Sequence, residues 1–141
     1  MDLFSRKVIA YRLSSQNNNN LSINTFKDAF EIRNRPTDLC FHSDQGTNYT
    51  SHEYRDLLKA LKVKQSFSSK ANPYDNAVVE SFFSNFKREE INHHSYEYFE
   101  ELQESVKEYM NYRNDYRPYP SLIYNTPNQV TNYCSSSHLN H

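Results

Sequence analysis

Short apolar runs alternate with helically spaced apolar residues over the first ninety residues of the chain. The apolar runs at residues 7–11 and 38–41 and the segment 63–67 have the length of strands, and the segments between them carry apolar residues on one helical face. This alternation favours an α/β or α+β domain with a mixed sheet flanked by helices. A length of 141 residues suffices for about one domain, and no linker or internal repeat indicates a second.

Four helices are predicted from apolar spacing and from the residues that start and stop helices. The first ends before Pro36, and the second begins at a capping box formed by Thr50 and Glu53. The third is expected over residues 76–91 and the fourth over residues 97–114, with an acidic and solvated outer face.

The end of the chain is expected to be loop-like and partly frayed. Three prolines follow residue 117, and a tail rich in Ser, His and Asn comes after them. Residues 1–130 are therefore predicted to form the core, and residues 131–141 a polar tail.

The composition argues against several classes of protein. No apolar stretch approaches the roughly 20 residues of a membrane span, and no apolar signal segment begins the chain, so a cytoplasmic protein without a membrane partner is expected. The two cysteines, Cys40 and Cys134, match neither a zinc motif nor a disulfide scaffold. Because the net charge is −1, a nucleic-acid partner has to be inferred from local residues.

Asp44 is the first candidate for a chemical role. It follows a short apolar run, and Gly46, the single glycine in the sequence, is expected to permit a sharp turn there. Carboxylates at strand ends point into the crevice where open α/β sheets bind ligands. Asp44 is equally compatible with a role as a turn residue or helix cap, and this segment alone does not decide between these roles.

Glu80 is the second candidate. On a helix over residues 76–91, one polar stripe contains Asn76, Glu80, Ser84 and Lys87. Glu80 stands between two valines and two phenylalanines, so it is expected near the buried side, where a carboxylate needs a cation or metal ion. An Asp from a strand end and a Glu from a helix can share Mg²⁺, and two such ions can hold the reacting oxygens of a phosphodiester. The stripe is also compatible with an ordinary solvated face, and Lys87 with an ordinary exposed lysine.

Four motifs follow one another along the chain. They are D-L-F-S-R-K-V-I-A-Y from Asp2, H-S-D-Q-G-T-N-Y from His42, N-P-Y-D-N-A-V-V-E-S-F-F from Asn72, and Y-R-N-D-Y-R-P-Y-P-S-L from Tyr112. Thirty-five residues separate Asp44 from Glu80. Together these motifs resemble the integrase-like catalytic domain of bacterial insertion-sequence transposases of the IS-three type, over residues 1 to about 130.

This resemblance implies a ribonuclease H-like fold and a D-D-35-E site that binds two Mg²⁺ or Mn²⁺ ions. It implies cleavage at transposon ends and strand transfer into target DNA by a homo-oligomer in the bacterial cytoplasm. Asp44 and Glu80 would be the catalytic metal ligands, and Lys87 would contact DNA near the cut. The other motif residues that would bind DNA or shape the site are His42, Gln45, Asn72 and Asn76.

The chain also departs from the family pattern. The first catalytic Asp of the family lies in a D-x-T-Y block ahead of the segment that begins at Asp2, and this block and its strand are absent. Asp2 matches a different family position and is interpreted as a structural residue at a strand end. Ala71 and Tyr119 stand where the family usually has Gly and His.

Two interpretations of different class remain open. In the first, the chain is an N-terminally truncated transposase core whose metal-dependent phosphoryl transfer is crippled, because Asp44 and Glu80 are expected to hold one ion weakly. In the second, it is a non-catalytic remnant that at most binds nucleic acid or the parent transposase. The missing strand would leave unpaired sheet edges, which invite pairing with another chain. Another ribonuclease H-like nuclease would not explain residues 112–127, and a helical adaptor would not explain the strands.

Overall fold

The computed structural model describes residues 1–16, 18–68 and 76–137. The chain divides into two compact units, of which one is Ile9–Glu80 and the other combines the first eight residues with the chain from Ser81 onward. No helix in these described ranges is long and apolar enough to cross a membrane.

The Ile9–Glu80 unit contains a two-stranded parallel sheet and its helices. Cys40 lies opposite Lys64 and Ser43 opposite Phe67 in the ladder. Parallel strands need a crossover connection, and helices supply it here. In chain order the elements are α1 (Asn19–Ile32), β1 (Cys40–Ser43), α2 (Thr47–Thr50), α3 (His52–Ala60), β2 (Lys64–Phe67) and the start of α4 (Ala77–Phe86).

An aromatic core holds α1, α3 and the sheet together. Its buried members are Phe26, Phe30, Tyr54, Leu58 and Val63. The ring of Phe41 on β1 packs edge-on against that of Phe26, with centroids 5.3 Å apart. Phe41 can reach this core because alternate residues of a strand point to opposite faces of the sheet. Each such side chain contributes about 1.5–3 kcal/mol through burial, so this core fixes the position of β1 and of the residues that follow it.

Two local expectations for this unit are wrong. Residues 7–11 belong to neither strand of the sheet, although their sequence is typical of a strand. A strand exists only through its ladder partner, and β1 and β2 pair with each other in the described residues. The cap of α3 is Ser51, whose Oγ accepts from the N–H of Tyr54 at 3.3 Å, because Thr50 is already the last residue of α2.

The second unit is helical. A π-helical turn (Lys87–Ile91) continues directly from α4, and α5 (Phe99–Asp115) confirms the helix predicted over residues 97–114. A short 3₁₀ turn (Pro120–Leu122) then leads to α6 (Pro127–Ser137). The expected loop-like end is therefore wrong from residue 127 to residue 137. Pro127 is the first residue of α6, where a proline costs no hydrogen bond.

Candidate active site

Asp44 lies immediately after β1 and its side chain is exposed. Its Oδ1 accepts a hydrogen bond of 2.9 Å from the N–H of Gly46. Within the described residues, no hydrogen bond reaches its second carboxylate oxygen. The carboxylate is thus oriented by the backbone on one side and open to a ligand on the other.

Gly46 leaves room for the carboxylate of Asp44 because it has no side chain. Its φ is −57° and its ψ is 146°, a conformation open to any residue, so the bend at Gln45 does not need the conformational freedom that was expected of this glycine. A Cβ at this position would lie 2.9 Å from Asp44 Oδ1, which is closer than a real Cβ contact. The glycine therefore lets the carboxylate approach the backbone N–H. Burial, with the nearby negative charge of Asp44, raises the pKa of the Tyr49 hydroxyl beside this loop.

Glu80 lies in the first turn of α4, in the same compact unit as Asp44. Its side chain is exposed, so the expected position near the buried side is wrong. The buried residue of this helix is Phe82, which is about 200° around the axis from Glu80. The carbonyl of Asn76 accepts from the N–H of Glu80 at 3.0 Å, which begins the helix.

Lys87 is exposed and begins the π-helical turn. No ion pair engages it in the part of the chain that the structure describes. π-turns inside helices occur frequently at functional sites. Asn72, the remaining predicted site residue on this segment, lies outside the described residues.

His42 and Gln45 bond to the protein itself. The His42 Nδ1 and Ser66 Oγ are 3.1 Å apart, and His42 Nε2 and Ser68 Oγ are 3.0 Å apart. The side-chain amide of Gln45 donates to the carbonyl of Ser68 at 3.3 Å. Both ring nitrogens of His42 are therefore occupied in this geometry.

Ser66 and Ser68 were not among the residues predicted from the sequence to belong to the site. They are two residues apart and so lie on one side of the extended chain, and Ser66 is the ladder partner of His42. Once β1 and β2 are aligned, this alternation is the signal that finds them. The alignment itself is not readable from two four-residue strands.

Asp2 has a structural role in its own turn, but no strand among the described residues lies beside it, so the expected strand end is wrong. Its Oδ1 accepts from the N–H of Phe4 at 2.9 Å, and its own N–H donates to the carbonyl of Lys7 at 2.9 Å.

A second polar cluster lies in the other unit and was also missed. The guanidinium of Arg117 donates to both carboxylate oxygens of Glu89, and Tyr109 Oη donates to the same carboxylate at 2.9 Å. These bonds to Arg117 hold the pKa of Glu89 below its ordinary value. Burial, together with the bond to Glu89, raises the pKa of Tyr109 to about 12.

Arg113 is a buried cation in the same unit. Its guanidinium stacks 4.5 Å from the ring centroid of Phe82 and 5.1 Å from that of Tyr119. Among the described residues, its Nε and Nη1 have no hydrogen-bond partner, and neither has the buried hydroxyl of Tyr119. Burial lowers the pKa of Arg113.

The chemistry of the ligands decides whether a metal fits. The described residues contain no group of three or more His, Cys, Asp or Glu side chains that could hold a metal ion. Mg²⁺, however, is commonly bound by one or two carboxylates together with waters and phosphate oxygens. The exposed, backbone-oriented carboxylate of Asp44 therefore fits a single hard divalent cation rather than a closed cage.

Comparison with known families covers most of the chain. A sequence model described as integrase core domain matches residues 1–73, and a second model of the same description matches residues 61–127. Asp44 lies in the first match and Glu80 in the second.

Two curated relatives are transposases. The transposase for insertion sequence element IS904 of Lactococcus lactis is 35% identical over 96% of this chain and 54% of its own length. The putative transposase InsK for insertion sequence element IS150 of Escherichia coli is 39% identical over 83% of this chain and 41% of its own length. The chain thus spans about half the length of these relatives.

A solved structure has the same fold. The crystal structure of the catalytic core domain of BIV integrase matches with a TM-score of 0.62 and 19% identity, over 91% of this chain and 78% of that one. The predicted ribonuclease H-like α/β fold is confirmed by this likeness.

Proposed function

Because the chain belongs to the integrase core domain family, we propose that it is the catalytic core of a DNA transposase that acts by metal-dependent phosphoryl transfer. Asp44 and Glu80 are its metal ligands, and Mg²⁺ or Mn²⁺ is the metal. The observation that carries this proposal is the exposed Asp44 carboxylate, oriented by the N–H of Gly46 at 2.9 Å, in one compact unit with the exposed Glu80.

Each residue has a defined task in this proposal. Asp44 would coordinate the cation through its second carboxylate oxygen. Because the N–H of Gly46 already orients the carboxylate, binding needs little reorganisation of this loop. Glu80 offers a second carboxylate from the first turn of α4. Lys87 neutralises a backbone phosphate of the DNA. When bound, the cation would polarise the phosphodiester and lower the pKa of a bound water.

The names of the relatives suggest the substrate and partners. Both are transposases of insertion sequences, so the DNA recognised is proposed to be transposon ends and a target duplex. Action as a homo-oligomer on DNA belongs to the same proposal.

A second candidate function has its own support. The described residues contain no three-ligand group, which favours a chain that binds nucleic acid or a longer transposase without cleaving DNA. Two carboxylates are expected to hold one ion weakly, whereas the charge stabilisation of a two-metal site needs ligands for both ions. We therefore expect the isolated chain not to nick DNA.

Mn²⁺ binding and plasmid nicking test the proposal together. Mn²⁺ is titrated into the purified chain and followed by water-proton relaxation. We expect weak binding that Asp44→Asn and Glu80→Gln each reduce and that Asp56→Asn, an exposed carboxylate on α3, leaves unchanged. Binding unaffected by both site variants would overturn the metal assignment. Nicking of supercoiled plasmid that disappears in Glu80→Gln would contradict the expected inactivity and exclude the second candidate.

A further inference from the structure

Ser68 is held by all three of its polar groups. Its hydroxyl bonds to His42 Nε2 at 3.0 Å, its N–H donates to the carbonyl of Ser43 at 2.9 Å, and its carbonyl accepts from Gln45 at 3.3 Å. The three residues that hold it, His42, Ser43 and Gln45, lie within two positions of Asp44 in sequence. The candidate metal ligand therefore lies in the segment that grips Ser68.

His42 joins this contact to the sheet. Its other ring nitrogen, Nδ1, is 3.1 Å from the hydroxyl of its ladder partner, Ser66. The imidazole thus spans two hydroxyls that are two residues apart on one side of the chain. Ser66 is kept in place by the ladder itself, whereas Ser68 lies one residue beyond the end of β2. The bond to Ser68 is therefore the one that extends the strand pairing further along the chain.

Ser68 is the residue at which the chain leaves β2 toward Glu80. β2 ends at Phe67, and the chain that leaves Ser68 leads to Glu80 twelve residues later. Ser68 is thus the point from which the connection between the two carboxylates starts. A contact that fixes Ser68 against His42 and Gln45 also fixes that starting point relative to Asp44.

We propose that His42 and Gln45 are positioning residues of the metal site that act through Ser68, rather than contacts to DNA. The proposal rests on the function proposed above, because it needs Asp44 and Glu80 to share an ion. It assigns both nitrogens of His42 to the protein and leaves neither for a phosphate.

Mn²⁺ affinity tests this directly, since residues that orient metal ligands typically change affinity about 10-fold to 100-fold. We expect His42→Phe and Ser68→Ala each to weaken Mn²⁺ binding by about tenfold, and Ser68→Thr, which keeps the hydroxyl, to retain it. The double variant should be no weaker than either single one, because both remove the same contact. Ser66→Ala is the matched control and should change binding less than about twofold, because the ladder holds its backbone.

A second readout separates positioning from DNA contact and from misfolding. Binding of a duplex in EDTA should be the same for His42→Phe as for the parent chain, and melting without metal should be unchanged in Ser68→Ala. Parent-like Mn²⁺ affinity in His42→Phe and Ser68→Ala, with loss in Asp44→Asn, overturns this inference and leaves the proposed function standing. Weaker duplex binding by His42→Phe at unchanged Mn²⁺ affinity also overturns it. If Asp44→Asn binds Mn²⁺ as tightly as the parent chain, or if the parent chain binds no Mn²⁺, both this inference and the proposed function are overturned.

Discussion

The two compact units hold their polar groups in different ways. Around Asp44, the hydrogen bonds of His42 and Gln45 go to uncharged groups beside an aromatic core. In the other unit, charged side chains themselves are buried, with Glu90 at 7% exposure and Arg113 at 3%. A neutral contact costs little when it is broken, whereas a buried charge that loses its partner is strongly destabilising.

The two units are therefore expected to differ in whether their polar residues serve stability or ligand binding. The Ile9–Glu80 unit is expected to depend on apolar burial, so its polar residues are available for ligand binding. The helical unit is expected to depend also on buried polar contacts such as that between Glu89 and Arg117, so its polar residues are largely structural. Substitutions in one unit at a time test whether the two units differ in this way.

The largest effect is expected at Leu58, which is 1% exposed in the aromatic core. Leu58→Ala removes buried methyl groups and leaves a cavity, and it should lower the free energy of unfolding by about 3 kcal/mol. Urea denaturation followed by circular dichroism measures this. Ile32→Ala, at a residue that is 58% exposed in the same unit, is the control and should change stability by about 0.5 kcal/mol or less. A loss below about 1 kcal/mol in Leu58→Ala would contradict the dependence on apolar burial.

The next effect is expected at Glu89, whose carboxylate binds Arg117 and Tyr109. Glu89→Gln leaves the partly buried guanidinium of Arg117 without a counter-charge and should cost about 2 kcal/mol. Glu104→Gln is the matched control, because Glu104 pairs with Lys107 while both side chains are more than half exposed. Such a surface pair contributes at most about 1 kcal/mol. Equal effects of the two substitutions would show that the Glu89–Arg117 contact contributes no more than a surface pair, and so would contradict the role given to it in the helical unit.

The same carboxylate predicts how stability depends on pH. Its pKa is lowered in the folded protein from the ordinary value of 4.5, chiefly by its bond to Arg117. Its stabilisation is therefore fully present above that ordinary value and is lost as the pH falls through the lowered value of the folded state. Between neutral pH and about pH 3, the parent chain should lose more stability than Glu89→Gln does. Parallel pH profiles of the two proteins would show that Glu89 does not contribute in this way.

Particular elements show what the sequence can predict. Helix α5 was predicted because apolar residues recur on one face over about three turns, from Phe99 to Met110, and three of them, Val106, Tyr109 and Met110, are buried. Strand β2 was predicted as a short segment from Val63 to Phe67 that follows a clear helix. Residues 7–11 were misread because a strand is a property of two segments, and the sequence describes only one.

The site residues were predicted more by motif than by environment. The motifs predicted Asp44 and Glu80 as candidate metal ligands, but apolar neighbours in sequence gave the wrong burial for Glu80, since the helical phase separates it from Phe82. The partners of His42 depend on strand register and those of Glu89 on the packing of two helical segments. Neither relation is visible in a single linear sequence.

The smallest effect concerns left-handed turns, where the two units also differ. In Ile9–Glu80, the residues with left-handed φ values are Asn34, Arg35, Asp38 and Lys62, none of which is β-branched. In the other unit, Ile123 has a φ of 53° and is 86% exposed, so a β-branched residue bears the strain without any gain from burial. Ile123→Asn should therefore stabilise the protein by about 1 kcal/mol, measured as a higher melting temperature. Ile32→Asn, at another exposed isoleucine but inside helix α1, should give no gain. An unchanged or lower melting temperature in Ile123→Asn would mean that this turn is not strained in solution.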